Sequence, residues 1–374
     1  MKSFPVLRHG AALIALASGI AACASDTSGT GPATPRPFLS GTTADPGIAL
    51  SVSSSRNALL MVQTGAPANR VELPLGASST VTPVDLSVRG TKAIIPLGNA
   101  ASVALVDLTN ARIERFFTFP GGNATGSAWL DDSTAIVCNQ SDNYCGRIRT
   151  GRTANAIPDT VKVAEFPSSV LVVAGRVFVV SSYLDANYAQ IANGIVTELS
   201  ATTNRVVRTF TVGPNPQYAA ASADGTKLYV TNSGDYGANN GSLSVINLTT
   251  NTAELPIAGF GDFPGPISID AKGRAFVSSF SFGTIVWDIN TRAFLRGPAN
   301  AVCAKYATGA AASVCRGASD AMVAPNGNLY QSFFGSSSQS LPSYLFVYDG
   351  TTLALKDSVA MPLGTNNIHV QSFK

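Results

Sequence analysis

The feature that most constrains this chain is a unit that recurs along it. Its clearest copy is Asp224–Asn251, DGTKLYVTNSGDYGANNGSLSVINLTTN. Asp224-Gly225 is a tight-turn signal, because glycine accepts positive φ without steric cost. Leu228–Thr231 is rich in β-branched and aromatic residues, as a buried strand requires. Ser233–Asn240 is Gly, Asn, Asp and Ser with one Tyr and one Ala, which predicts a loop. Leu243, Val245 and Leu248 mark a second apolar strand, and Thr249–Thr252 a second turn. A sheet this small cannot bury both faces alone, so copies must stack on one another.

The first turn recurs at Gly90, Ser133, Gly175, Gly225, Gly273 and Gly327, with gaps of 43, 42, 50, 48 and 54 residues. The ends of third strands recur at Asp107, Glu198, Asn247, Asp288 and Asp349, each before a polar turn. A period of ~40–50 residues with four short strands is the signature of a β-propeller. Six blades follow at 83–119, 124–166, 168–212, 215–258, 265–297 and 318–361. The seventh must be composite. Ile368–Phe373 reads as its innermost strand, and Ile48–Val52, Leu59–Gln63 and Arg70–Leu75 as the other three, since VQTGAPANRVELPLG parallels VINLTTNTAELPIAG. The expected fold is therefore all-β: a seven-bladed propeller of four-stranded blades. A 3+1 closure zips its chain ends into one sheet and leaves no open edge.

Tyr229-Val230-Thr231-Asn232 carries the letters that name the YVTN-type propeller repeats, and residues 47–374 resemble that family. Elsewhere the same position reads Ile94-Ile95-Pro96, Ile136-Val137-Cys138, Val179-Val180-Ser181 and Phe276-Val277-Ser278. The resemblance implies seven blades of four strands. WD-repeat propellers match poorly, because Trp287-Asp288 is the only such pair.

Lys2 and Arg8 precede the apolar run Ala11–Ile20, which ends Ile20-Ala21-Ala22-Cys23. A basic start, a short apolar core and small residues before the cut describe a secretory signal over residues 1–22. The run is too short to span a bilayer permanently. The Ile-Ala-Ala-Cys ending resembles a bacterial lipobox, which implies lipidation of Cys23; the alternative is an ordinary cleaved signal. Ala24 after the cysteine implies the outer membrane. Residues 23–45 are Ser, Thr, Gly and Pro, a tether without a core of its own, leaving 46–374 as the propeller domain.

Removing the signal leaves 352 residues with a formal charge of +1, against +3 for the whole chain. Near-neutrality gives nucleic acid no electrostatic footing. Charged residues are 13%, about half the usual ~25%, which suits strands buried on both sides and a monomer. Besides Cys23 there are Cys138, Cys145, Cys303 and Cys315. Four cysteines allow three pairings; Cys138–Cys145 and Cys303–Cys315 close short local loops and fit an oxidising compartment. A zinc site is the rival, though neither pair has C-x-x-C spacing and no His is near.

In such blades the 1–2 and 3–4 turns share one face, and the 2–3 loops and blade linkers share the other. The first face has tight turns throughout. The second carries 138–146, 181–194, 232–241, 278–284, 333–343, 259–266 and 297–319, and excess loop length is where binding usually resides. Three consecutive 2–3 loops repeat a pattern: Asp142-Asn143-Tyr144, Asp185-Ala186-Asn187-Tyr188 and Asp235-Tyr236. Rings beside carboxylates and amides suit a peptide or saccharide partner; the alternative is that Asp and Asn only shape the loops. Phe280, Phe282, Phe333, Phe334 and Tyr344 continue the aromatic content.

Little points to chemistry. After the signal is lost, His369 is the single histidine. No G-x-S-x-G elbow, P-loop, dinucleotide fingerprint or EF-hand loop is present. A carboxylate and amide site for calcium could draw on Asp142, Asp185, Asp235, Asp262 or Asp320. No catalytic residue, metal or cofactor is assigned. The expected function is a non-enzymatic, lipid-anchored envelope module that binds through its long-loop face; the alternative is a lactonase-like propeller hydrolase with ionisable groups in the central channel.

Overall fold

The structure, a computed structural model, describes residues 47–119, 121–185, 187–305, 315–335 and 341–371. These lie within one compact unit, Arg36–Lys374. The expectations on Cys23, the signal and the tether fall outside the described residues.

Seven separate antiparallel sheets make up the described chain. Blade 1 is β4 (Ser87–Arg89), β5 (Lys92–Pro96), β6 (Ser102–Asp107) and β7 (Arg112–Thr118). Blade 2 is β8 (Ala124–Trp129), β9 (Thr134–Asn139), β10 (Tyr144–Arg149) and β11 (Thr160–Lys162). Blade 3 is β12 (Pro167–Val173), β13 (Arg176–Ser181), β14 (Ile195–Ser200) and β15 (Val206–Thr211). Blade 4 is β16 (Pro216–Ala221), β17 (Lys227–Asn232) and β18 (Ser242–Asn247), with its outer strand broken into β19 (Thr252–Ala253) and β20 (Ile257–Ala258). Blade 5 is β21 (Pro264–Ile269), β22 (Arg274–Ser279), β23 (Gly283–Asp288) and β24 (Ala293–Arg296). Blade 6 is β25 (Asp320–Val323), β26 (Asn328–Phe333), β27 (Ser343–Asp349) and β28 (Leu355–Met361). Blade 7 joins the C-terminal β29 (Thr365–Gln371) to β1 (Ile48–Ser53), β2 (Ala58–Gln63) and β3 (Arg70–Pro74), in the order β29-β1-β2-β3. The composite closure expected from the sequence is present.

The core is as segmented as the sequence. Each of seven hydrophobic clusters lies between one pair of neighbouring blades. The cluster holding Trp287 packs it edge-on to Tyr229 of blade 4 and to Phe260 of the following linker. No blade can bury this surface without its neighbours, which is why the ring must close.

The turn-rich face is built by one device repeated. Gly90, Gly175, Gly225, Gly273 and Gly327 all have positive φ, between 55° and 80°, where only glycine avoids a steric cost. In the 3–4 turns the carboxylate or amide that ends the third strand folds back onto the chain. Asp107, Asn247, Asp288 and Asp349 each accept N–H bonds from residues two and three positions on. Glu198 departs from this and instead binds Arg176 and Arg208.

Two expected loops are shorter than read. β9 runs to Asn139 and β10 starts at Tyr144, so most of 138–146 is strand, and β22 and β23 likewise absorb most of 278–284. The Cys138–Cys145 disulfide therefore joins directly opposed strand residues rather than fixing a loop. Both half-cystines are buried against Val177 and Val179 of blade 3. Cys303–Cys315 closes part of the linker before blade 6.

Candidate functional site

The innermost strands of different blades form no shared sheet, so side chains stitch them together. The stitches run round the whole ring. Ser127 donates to Asp85, Thr125 to the Pro167 carbonyl, Ser182 to Pro216 O, and Ser233 to Pro264 O. Ser268 donates to Ala321 O, Ser319 to Thr365 O, and Asn367 to Val84 O. Every blade junction has one, at 2.8–3.2 Å. Small residues allow the approach: a Cβ on Gly126 would lie 2.5 Å from the Ser169 Cα.

On the loop face, blades 2, 3 and 4 carry two adjoining clefts of 550 and 330 Å³ that share Phe166, Leu184 and Tyr188 as a common wall. The larger cleft is bordered by Asn143, Glu165 and Asp185, the smaller by Gln217, Asp235 and Tyr236. Two rings stand in the open, Tyr188 at 71% and Tyr236 at 84% exposure. Each is braced edge-on by a phenylalanine: Phe166 against Tyr188 at 5.4 Å, Phe263 against Tyr236 at 5.9 Å. Both braces sit immediately before a proline that opens an inner strand, and both have left-handed φ, 58° and 49°. Tyr188 itself has φ 62°, a costly conformation for a bulky side chain.

The seven residues singled out for binding divide. Asp185, Tyr188, Asp235 and Tyr236 border the clefts. Asn187 is exposed beside Tyr188, and its N–H is tied to Asp185 Oδ1. Asp142 and Tyr144 border neither cleft. Asp142 is engaged by Asn139 and Lys162, and the Tyr144 ring is half-buried 5.2 Å from Phe119. The reason is the short hairpin: once Tyr144 opens β10, its ring points into the blade 1–2 core. The acidic side chains also shape the loops. Asp185 accepts two N–H bonds within its own loop, Asp235 accepts from Asn240, and Asp262 clamps Gly237 and Ser281. Further round, Phe333 and Tyr344 lie under the Arg316 guanidinium rather than forming a free rim.

The central channel holds a third cavity, of 270 Å³, to which all seven innermost strands or their leading residues contribute. Asp85, Tyr218 and Asp320 line it. Asp85 accepts bonds from the Ser127 N–H (2.7 Å), the Ser127 hydroxyl and the Asn367 amide. Asp320 accepts from the N–H groups of Ile368 and Ala321, both at 2.7 Å. Burial raises Asp85 above the ordinary carboxylate range, and burial with the charge of Asp85 raises Asp320 to about 6. Burial and both carboxylates push the Tyr218 hydroxyl well above its ordinary value. His369 is not among the lining residues. Among the described residues no group of three or more His, Cys, Asp or Glu side chains converges to hold a metal.

Sequence reasoning missed Asp85, Tyr218 and Asn367, which sit in unremarkable inner-strand positions, and the braces Phe166 and Phe263. The repeated Phe-Pro dipeptides at 166–167 and 263–264 were the available signal for the braces.

No family model matches the chain, and no curated protein does. Among solved structures it is similar to a chain of Kuenenia stuttgartiensis hydrazine synthase, with a TM-score of 0.60 and 14% identity over 78% of this chain and 90% of that one. At that identity the likeness concerns the fold alone. No helix of the described residues is long and apolar enough to cross a membrane.

Proposed function

We propose that this chain is a cell-envelope binding module of the YVTN-repeat kind. It is exported, tethered to the outer membrane by a lipid on Cys23, and captures a peptide or saccharide on its long-loop face without transforming it. The observation that carries the reading is the pair of clefts flanked by Tyr188 and Tyr236. Exposed rings offer apolar area at low entropic cost, and the neighbouring amides and carboxylates orient a polar ligand. The internal disulfides fit an extracytoplasmic compartment. Pull-down from envelope membranes tests this, comparing wild type with the Tyr188→Ala/Tyr236→Ala double variant. The reading expects capture to be lost with the fold intact; equal capture by both overturns it.

A second reading has one observation in its favour. The channel pairs two carboxylates with raised pKa values, and a group titrating near 6 suits general acid–base work. That is what a lactonase-like hydrolase would need. A panel of lactones, turned over by wild type and not by Asp320→Ala, would favour it over the binding module.

A further inference from the structure

The channel carboxylates pose a problem that the loop face does not. Both line one cavity open to the channel, and none of the residues lining it is Lys, Arg or His. The titratable groups facing the space are Asp85, Asp320 and Tyr218, which are negative or neutral in every protonation state. Stitching alone does not call for charge here. Thr125, Ser182, Ser233, Ser268 and Ser319 make the equivalent junctions with neutral hydroxyls. Two ionised carboxylates lining one cavity repel each other and lose hydration, which destabilises the ring until a proton or a cation offsets it. Above about pH 6, where Asp320 has lost its proton, that leaves a cation. Asn367 adds an independent sign. It lines the same cavity at 9% exposure, and its amide nitrogen is used by Val84 and Asp85. Its Oδ1 has no hydrogen-bond partner among the described residues. A buried acceptor left alone is costly and rare.

We propose that the central channel is a binding site for a small primary ammonium compound, its –NH₃⁺ held between Asp85 and Asp320 with the Tyr218 hydroxyl and Asn367 Oδ1 as further acceptors. An ammonium has three donors and no acceptor, which matches a lining rich in acceptors. A calcium ion would want six to eight oxygens, and among the described residues no group of three or more His, Cys, Asp or Glu side chains converges to hold a metal. The cavity, 270 Å³, falls just below the ~300–1,000 Å³ usual for ligand sites, so the occupant is small. This site is separate from the loop-face clefts and does not depend on them.

Titration calorimetry of the full chain tests it, with n-butylammonium chloride as probe and n-butanol and calcium chloride as the other arms at matched ionic strength. At about pH 8 the amine binds saturably at one site, and the neutral alcohol of the same shape binds at least about tenfold more weakly. Lowering the pH to about 5 weakens the amine by about tenfold or more, because Asp320 takes up a proton. Asp85→Asn and Asp320→Asn each reduce the affinity by a similar factor. Tyr218→Phe, which leaves every backbone bond in place, weakens it less. Tyr188→Ala/Tyr236→Ala leaves it unchanged. The proposal fails if the amine shows no saturable binding at pH 8, if butanol binds as well, if folded Asp85→Asn/Asp320→Asn retains wild-type affinity, or if only calcium binds.

Discussion

Two populations of aspartate in this molecule behave in opposite ways. On the turn face, Asp131, Asp224, Asp288 and Asp349 fold back onto nearby donors and are held below the ordinary carboxylate range. Backbone N–H groups dominate for Asp131, Asp288 and Asp349, and the Ser222 hydroxyl leads for Asp224, which is brought down to about 2. In the channel, burial dominates, and Asp85 and Asp320 are raised. The same side chain is thus a stabilising part of the frame in one place and a destabilising one in the other. A residue that weakens the fold where a serine would serve points to a use beyond the fold.

The largest effect belongs to the frame. Asp270 in the β21–β22 turn accepts from Arg274 and from two N–H groups, and both side chains of the ion pair are nearly buried. Asp270→Ala leaves the Arg274 guanidinium with the Gly350 carbonyl and the Phe276 ring. It should cost about 1.5–3 kcal/mol, the worth of hydrogen bonds to a charged group, read by urea unfolding. A cost within ~0.5 kcal/mol, the level of an ordinary surface substitution, would break the comparison at its structural end.

The pH dependence sharpens it. The folded pKa of Asp320 lies above the ordinary 3.8, so between about pH 4 and 6 the folded chain holds a proton that the unfolded chain releases. Its effect is to lower stability as pH rises through that window, with the whole cost present above 6. Asp224 acts with the other sign: its contribution is present above pH ~4 and is lost as pH falls towards 2. Carboxyl ¹³C NMR should find Asp320 titrating near 6 and Asp224 near 2. An Asp320→Ala variant should show a smaller decline between pH 4 and 6, the remainder coming from Asp85, which burial also raises. Asp320 titrating at or below 3.8 would erase the distinction.

The smallest effect on stability is expected on the loop face. Tyr188→Ala and Tyr236→Ala remove rings that are mostly in solvent, so each should shift unfolding by less than about 0.5 kcal/mol. A loss of several kcal/mol would mean that the edge-on contacts with Phe166 and Phe263 belong to the frame.

The architecture was legible in the sequence because its causes are local and repeated. Glycine in a left-handed turn, a buried β-branched strand and a carboxylate or amide ending the third strand each leave a mark in most blades. The composite blade was legible from the likeness of VQTGAPANRVELPLG to VINLTTNTAELPIAG. The site was legible only in part. Tyr188 and Tyr236 were readable as loop aromatics, but Tyr144 is half-buried because its hairpin is tighter than composition suggested, by two residues at one end and three at the other. Asp85 and Asp320 lie 235 positions apart in the chain. Only ring closure brings them into one cavity, and no local pattern records that.

The most direct test of the binding account compares the two faces in place. A photo-crosslinking residue is put at 188 or 236 on the loop face and at 272 or 351 on the turn face, and each protein is irradiated in envelope membranes. The account predicts an adduct formed from positions 188 and 236 and absent from 272 and 351. Adducts from the turn face alone, the same adducts from both faces, or none from either would contradict it.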